Sequence, residues 1–288
     1  MKKFAVIDIG SNSVRLMLMA DGKVLYKMLN TTRLGEGLAF SSQLKPEAIT
    51  RTANAVCAFY QQALAEQAEG VVAFATAAVR SAENGYAFVQ EVHNLCGLTV
   101  EIVSGEEEAT LGIIGALGVK DGGLIDVGGA STELVVQEKG SLVYKKSIDV
   151  GIVRLHDACG RDAEALQALT MERVKQFLDA PKLKEVYAIG GTATTLAALS
   201  RGLEKYDSAM VTGTEITKGQ MQALAQELLR MPVEEIAKMP CVSKGREDVL
   251  AGGALWFATL MQTLGIEKIT ISDRDNLEGY ALKKGLLC

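Results

Sequence analysis

The stretch FAVIDIGSNSVRLML, residues 4–18, decides how this chain is read. An apolar run ends on an acid, Asp8, turns through Gly10, Ser11, Asn12 and Ser13, and becomes apolar again. Residues 123–136, GLIDVGGASTELVV, carry the same device: apolar run, Asp126, one apolar residue, glycine, small residues, second strand. Two copies of one motif mark an internal repeat, and a repeat governs every later assignment.

The same elements recur around each copy. Strands are expected at 3–9, 14–20 and 23–29, with Asp21-Gly22 as a hairpin turn. Pro46 opens a helix over 46–68. A strand at 71–76, a helix over about 80–95, a strand at 99–104 and a helix over 105–117 follow. The pattern then restarts with strands at 123–129, 132–138 and 141–148, a helix over 162–179 and a strand at 186–191. Helices over 192–200, 217–230 and 246–264, a strand at 268–273 and a helix over 276–286 complete it. Strands that alternate with helices give an α/β fold, here in two duplicated domains. The glycines around 118–123 set the boundary, with residues 1–119 in the first domain and 120–275 in the second. Residues 276–288 are expected to pack back on the first. No linker is rich in proline, so the halves should meet along a cleft. The expected core is Val6, Ile7, Leu16, Leu18, Val72, Phe74, Leu124, Ile125, Leu134, Val135, Ile189 and Ile271.

Composition bounds the function. Hydrophobic residues at 48% and charged residues at 23% suit a soluble globular protein. A net charge of −5 argues against nucleic acid or an anionic membrane as partner. No apolar run nears the roughly 20 residues of a membrane span. Asp8 and Gly10 interrupt what would be a signal-peptide core. The five cysteines are scattered without a C-x-x-C pair, as expected for reduced thiols in a cytoplasmic protein. His93 and His156 are too few for a histidine metal site.

The repeated turn has phosphate chemistry. Glycines let backbone amides approach oxyanions, and hydroxyls add donors. The acid at each strand end would repel phosphate unless a cation intervened, and Mg²⁺ binds one or two carboxylates together with phosphate oxygens. Asp8, Asp126 and Glu133 form the candidate cation set. Asp-x-Gly is also plain turn chemistry, and either reading suits one copy. Two matching copies favour phosphate. Arg15 is a charge within an apolar strand, which an ion pair or a phosphate contact would explain. In SGEEEATLG (104–112), Ser104 and Glu107 have capping-box spacing, and first-turn acids suit the helix dipole. Neither role occupies Glu108.

Taken together, IDIGSNSVRLML, ATAAVRSAENG, IVSGEEEATLG, LIDVGGASTELV, AIGGTATTLAAL and ISDRDNLEGYAL, in that order, resemble the exopolyphosphatase / guanosine pentaphosphate phosphohydrolase family over nearly the whole chain. That family belongs to the superfamily of actin, heat-shock chaperone ATPases and sugar kinases. The resemblance implies two ribonuclease-H-like domains and a hydrolase that removes terminal phosphate from inorganic polyphosphate or guanosine pentaphosphate with Mg²⁺ or a similar ion. It implies Glu108 as general base and Arg80 as a phosphate contact, with Thr76 as a further hydroxyl. Ser11, Asn12 and Ser13 should donate to phosphate from one side, and Gly128, Gly129, Ser131 and Thr132 from the other. Ala130 stands where the family often has a third glycine. Residues 190–199 form a cleft wall or a close packing turn, which Asp273, Arg274 and Asn276 brace, and Arg154 could face the cleft.

The resemblance further implies a homodimer. Longer members carry an additional C-terminal helical domain, absent from these residues, which makes short substrates comparatively more attractive. Two other readings compete. An ATP-dependent kinase of the superfamily would need an acceptor pocket that no motif suggests. A non-catalytic alarmone sensor would not need the retained SGEEEA.

Overall fold

The structure, a computed structural model, describes residues 2–287. The first half contains β1 (Lys3–Ile9), β2 (Ser13–Ala20), β3 (Lys23–Thr31), α1 (Pro46–Ala65), β4 (Gly70–Ala75), α2 (Ala77–Ser81), α3 (Gly85–Cys96), β5 (Val100–Ile102) and α4 (Gly105–Ala116). Next come β6 (Gly122–Val127), β7 (Thr132–Glu138), β8 (Ser141–Ile148), α5 (Ile152–Cys159), α6 (Ala163–Arg173), β9 (Val186–Ile189), α7 (Gly190–Ser200) and α8 (Ser208–Val211). β10 (Glu215–Thr217), α9 (Lys218–Arg230), α10 (Val233–Ile236), α11 (Leu250–Thr263), β11 (Lys268–Ile271) and α12 (Asn276–Lys283) finish the chain.

The duplication extends to strand register. The first sheet runs β3-β2-β1-β4-β5, and the second runs β8-β7-β6-β9-β11 with β10 added at its edge. In both, a three-stranded antiparallel meander continues into parallel strands, as the ribonuclease-H-like arrangement requires. Each meander has a register shift at the corresponding place, between Leu18 and Met19 and between Val136 and Gln137. Each hairpin turns through two residues of positive φ, Asp21 (47°) and Gly22 (74°) in one, Lys139 (52°) and Gly140 (73°) in the other. Those angles give the primed turn that matches strand twist.

Several expected boundaries moved. The helix expected over 80–95 is two helices: Ala82 is extended, and α3 starts at Gly85, where a Cβ would collide with the Val79 carbonyl. The segment 162–179 tightens into a 3₁₀ turn over Val174–Phe177, and α11 begins four residues later than periodicity suggested. α5, α8, β10 and α10 were not anticipated. They are short, and tertiary contacts outweigh weak local signals in such pieces. Of the expected core, Val72 is half-buried at the margin of a cluster, and the others are buried.

α4 and α12 fill the space between the sheets. Leu111 of α4 packs with Val6, Met17 and Phe74, whereas Ala109 and Ile113 pack with Leu124, Val135 and Ile189. α12 lies on the first sheet, with the Tyr280 ring stacked on Phe74 at 4.5 Å. The two helices cross through glycine. A Cβ on Gly115 would strike the Asp275 carbonyl, and one on Gly279 the Leu111 carbonyl. Backbone cannot yield as a side chain does, so Gly279→Ala should destabilise the protein by about 3 kcal/mol, measured by urea unfolding. An alanine variant as stable as the native chain would refute the close crossing.

Candidate active site

Each repeated turn is built by its own backbone. Gly10 N–H donates to the Ser13 carbonyl at 3.0 Å, and Gly128 N–H donates to the Ser131 carbonyl at 3.0 Å. In both turns the carbonyls that would repel an anion are engaged elsewhere. Ser11 and Asn12 carbonyls accept from the amides of Gly35, Thr32 and Arg33. Gly128 and Gly129 carbonyls accept from the first amides of α5, Ile152 and Val153. The two turns meet: a Cβ on Gly129 would stand 2.8 Å from the Ser11 Cβ and 2.9 Å from the Asn12 nitrogen. They converge on a cavity of about 70 Å³, room for a phosphoryl group.

Asp8, Ser11, Asn12, Ser13, Thr76, Glu108, Asp126, Gly128, Gly129 and Ser131 all line this cavity. Five buried polar atoms of its lining have no protein partner: Asp8 Oδ1, both side-chain polar atoms of Asn12, Arg246 Nε and Asn276 Oδ1. Buried polar groups are nearly always satisfied. Such a cluster around one void indicates a polar ligand.

The three first-turn glutamates of α4 have different surroundings. Glu106 is exposed 3.0 Å from Lys145, and Glu107 pairs with Lys283. Ser104 Oγ accepts from the Glu107 N–H, which caps the helix. Glu108 is buried, accepts from Arg80 at 2.8 Å and faces the cavity. Burial raises its carboxyl above the ordinary value of 4.5 despite the pull of Arg80, and nearby Asp8 adds to the rise. Burial, then the Glu108 carboxylate, push Asp126 up to about 7. Asp8 is also raised by burial, although Arg15 opposes this.

Three of the expected roles need correction. Thr132 does not face the cavity. Strand alternation turns it to the core, where its hydroxyl donates to the Val150 carbonyl and accepts from Trp256 Nε1 at 2.8 Å. Glu133 lies behind the cavity wall, accepting from Ser147 at 2.6 Å and from the Ser131 hydroxyl. Among the described residues, no three acidic, histidine or cysteine side chains form a metal cage, so the set Asp8, Asp126 and Glu133 is not assembled. Arg80 holds Glu108 and the Val103 carbonyl instead of lining the cavity. Arg154 does span the cleft, donating to the Leu38 carbonyl and the Ser81 hydroxyl of the first half, but it lies outside the small cavity.

Other residues took places the sequence left open. Arg15, which also lines the cavity, is ion-paired to Asp8 and to Asp275 just before α12. Asn276 donates to Asp126 Oδ2 at 3.1 Å. The 190–199 junction is a packing turn that also forms a wall. Gly190, at φ +84°, would place a Cβ 2.6 Å from Asp126 Oδ1, and a Cβ on Gly191 would collide with the Arg246 guanidinium.

Arg246 was missed altogether. It is 6% exposed, and burial, followed by nearby Arg15, pushes it down to about 10. The nearby acid Asp248 is occupied by Arg33 and His156. Among the described residues Arg246 has no carboxylate partner, and a buried cation so placed at a polar cavity is suited to clamp an anion. The paired glycines at 190 and 191, which leave room for a large side chain, were the available signal.

Similarity to known proteins agrees with this geometry. Residues 17–287 match the model of the Ppx/GppA phosphatase family. Exopolyphosphatase 2 of Mycobacterium tuberculosis is 31% identical over 97% of this chain and 98% of that protein. Guanosine-5'-triphosphate,3'-diphosphate pyrophosphatase of Aeromonas salmonicida is 27% identical over 99% of this chain and 58% of that longer protein. The crystal structure of an exopolyphosphatase-like protein superposes with a TM-score of 0.91 at 27% identity, covering 98% of both chains. The chain belongs to the Ppx/GppA phosphatase family.

Proposed function

We propose that this protein is a phosphoric anhydride hydrolase that releases the terminal phosphate of inorganic polyphosphate or guanosine pentaphosphate. The observation that carries this reading is the convergence of two anion-ready turns and one buried, arginine-held glutamate on a cavity lined by unpartnered polar atoms. The names of the relatives supply the two substrates. A buried base held on the cavity argues against a binding-only sensor.

In this scheme the turns at 10–13 and 128–131 hold the terminal phosphoryl group, and Arg246 neutralises it. Glu108, aimed by Arg80, takes a proton from water as the water oxygen bonds to phosphorus. The bridging P–O bond breaks, and its electron pair leaves with the shortened chain. Asp8, with its free Oδ1, and Asp126, with its raised carboxyl, fit a hard cation such as Mg²⁺. When bound, that cation would offset phosphate charge. A cytoplasmic setting, read from the scattered cysteines, and a homodimer, implied by the family resemblance, belong to the same proposal. Among the described residues no helix is long and apolar enough to cross a membrane.

The test is phosphate release from polyphosphates of several lengths, guanosine pentaphosphate and ATP, with and without Mg²⁺. Release from one of the first two substrates, lost on chelation, supports the reading. Turnover of ATP alone, dependent on an added acceptor, would replace it with the kinase. Arg246→Gln should raise KM about 10- to 100-fold, the scale of a charged hydrogen bond, without lowering thermal stability. An unchanged KM would remove Arg246 from the phosphate.

A further inference from the structure

Behind the reaction cavity lies a basic cleft that hydrolysis as described leaves unused. Its volume is about 580 Å³, and Arg80, Gly105, Lys145, Lys146, Ser147 and Arg173 line it. Of its four cations, Arg80 is held by buried Glu108, while Lys145, Lys146 and Arg173 have only solvent-exposed partners, Glu106, Asp179 and Glu172. The lysines are loosely paired. Glu106, 3.0 Å from Lys145, has a side chain 78% exposed, and Asp179, 3.0 Å from Lys146, is 60% exposed. Exposed pairs of this kind contribute at most about 1 kcal/mol, so Lys145, Lys146 and Arg173 remain available to a mobile anion.

A thin wall separates cleft from cavity. Arg80 lines the cleft and donates to Glu108, which lines the cavity. Ser147 lines the cleft as well, while its hydroxyl donates to buried Glu133. Gly105 closes the seam, since a Cβ there would stand 2.9 Å from the Ser147 Cβ and 3.6 Å from Arg80 Nη2. At this point the partition is the Arg80–Glu108 pair.

Stereochemistry restricts what this cleft can hold. In-line displacement puts the attacking water and the leaving chain on opposite faces of phosphorus. Glu108 activates the water, so the shortened chain departs away from Glu108. The cleft, beyond Glu108, cannot receive that chain but can receive orthophosphate, the small polyanion left on the water's side. We propose that the Arg80, Lys145, Lys146 and Arg173 cleft is an exit for orthophosphate, with the Arg80 guanidinium as its swinging gate. The proposal rests on the hydrolytic reading above. No bond forms or breaks during passage.

The experiment compares cleavage with release in Lys145→Glu/Arg173→Glu, two substitutions on the outer cleft wall. Rapid quench counts all phosphate cleaved, bound or free, and a fluorescent phosphate sensor counts only what is free. At saturating polyphosphate the quench rate of the first turnover should match that of the native protein. Free phosphate should lag, and the steady-state rate should fall about fivefold as release becomes limiting. Lys145→Gln/Arg173→Gln should give a smaller lag. Free phosphate that follows cleavage without delay in the reversed-charge variant overturns the exit. If the native protein shows no cleavage in the quench, the hydrolytic reading fails, and the exit role falls with it.

Discussion

Glu108→Gln should lower turnover by about 10²- to 10⁴-fold, the range of a lost general base, while substrate should still bind. The amide has the size of the carboxyl and can still accept from Arg80, so the cavity keeps its shape. What it cannot do is take a proton from water. Glu106→Gln and Glu107→Gln are the controls, since both acids lie in pairs toward solvent. They should stay within twofold of the native rate, as surface pairs contribute little. Steady-state kinetics with equilibrium binding of substrate separates the two effects. The raised Glu108 carboxyl adds a second readout. The acid limb of the native rate profile should lie above 4.5, the ordinary glutamate value, because activity needs the deprotonated base. A Gln variant with native turnover would leave this site without its base.

Asp126→Asn should abolish activity and at the same time stabilise the free protein. Burial and the neighbouring Glu108 hold the Asp126 carboxyl at about 7, against an ordinary value of 3.8. A carboxyl raised in the folded state binds its proton more tightly there than in the unfolded chain. Its penalty is therefore absent below about 4, grows through the window up to 7, and is complete above it. Asparagine removes the charge and keeps an acceptor for Asn276. At pH 8 the variant should be more stable by roughly 1 to 3 kcal/mol, and its melting temperature should change less between pH 6 and pH 8. Glu133 and Glu278 are raised as well, so the slope should flatten without vanishing. Mg²⁺ should raise the melting temperature of the native protein more than that of the variant. An equal or lower melting temperature for the variant at pH 8 would contradict the account.

The repeat was legible because Asp8 and Asp126 sit at strand ends before turns of one design, and a twofold pattern survives in sequence. Glu108 was legible through the family resemblance and because its two neighbours had other occupations. Thr132 and Glu133 were misplaced for a local reason. Alternation from Ser131 already sent Thr132 inward, whereas Glu133, the cross-strand partner of Asp126, keeps the site-side face and is held back by the Ser147 and Ser131 hydroxyls. Arg80 could not be resolved from sequence, since phosphate and glutamate are both good partners for a guanidinium, and only folding brings α2 beside α4. Arg246 lies between α10 and α11, where no periodicity marks the segment, and its isolation from carboxylates is a property of the folded chain alone. The same holds for Asp275 and Asn276, whose partners Arg15 and Asp126 are distant in sequence.

Those last two residues have a consequence for how the protein is born. Asp275 reaches Arg15 in the first lobe, Asn276 reaches Asp126 in the second, and Leu277 and Tyr280 cover Met17 and Phe74. A ribosome adds about 5–20 residues per second, so the first sheet is synthesised many seconds before the helix that completes it. During that interval the nascent chain has an uncovered apolar face and no assembled pocket. Catalytic competence therefore arrives late in translation, and a chain stalled before residue 275 should engage chaperones rather than substrate.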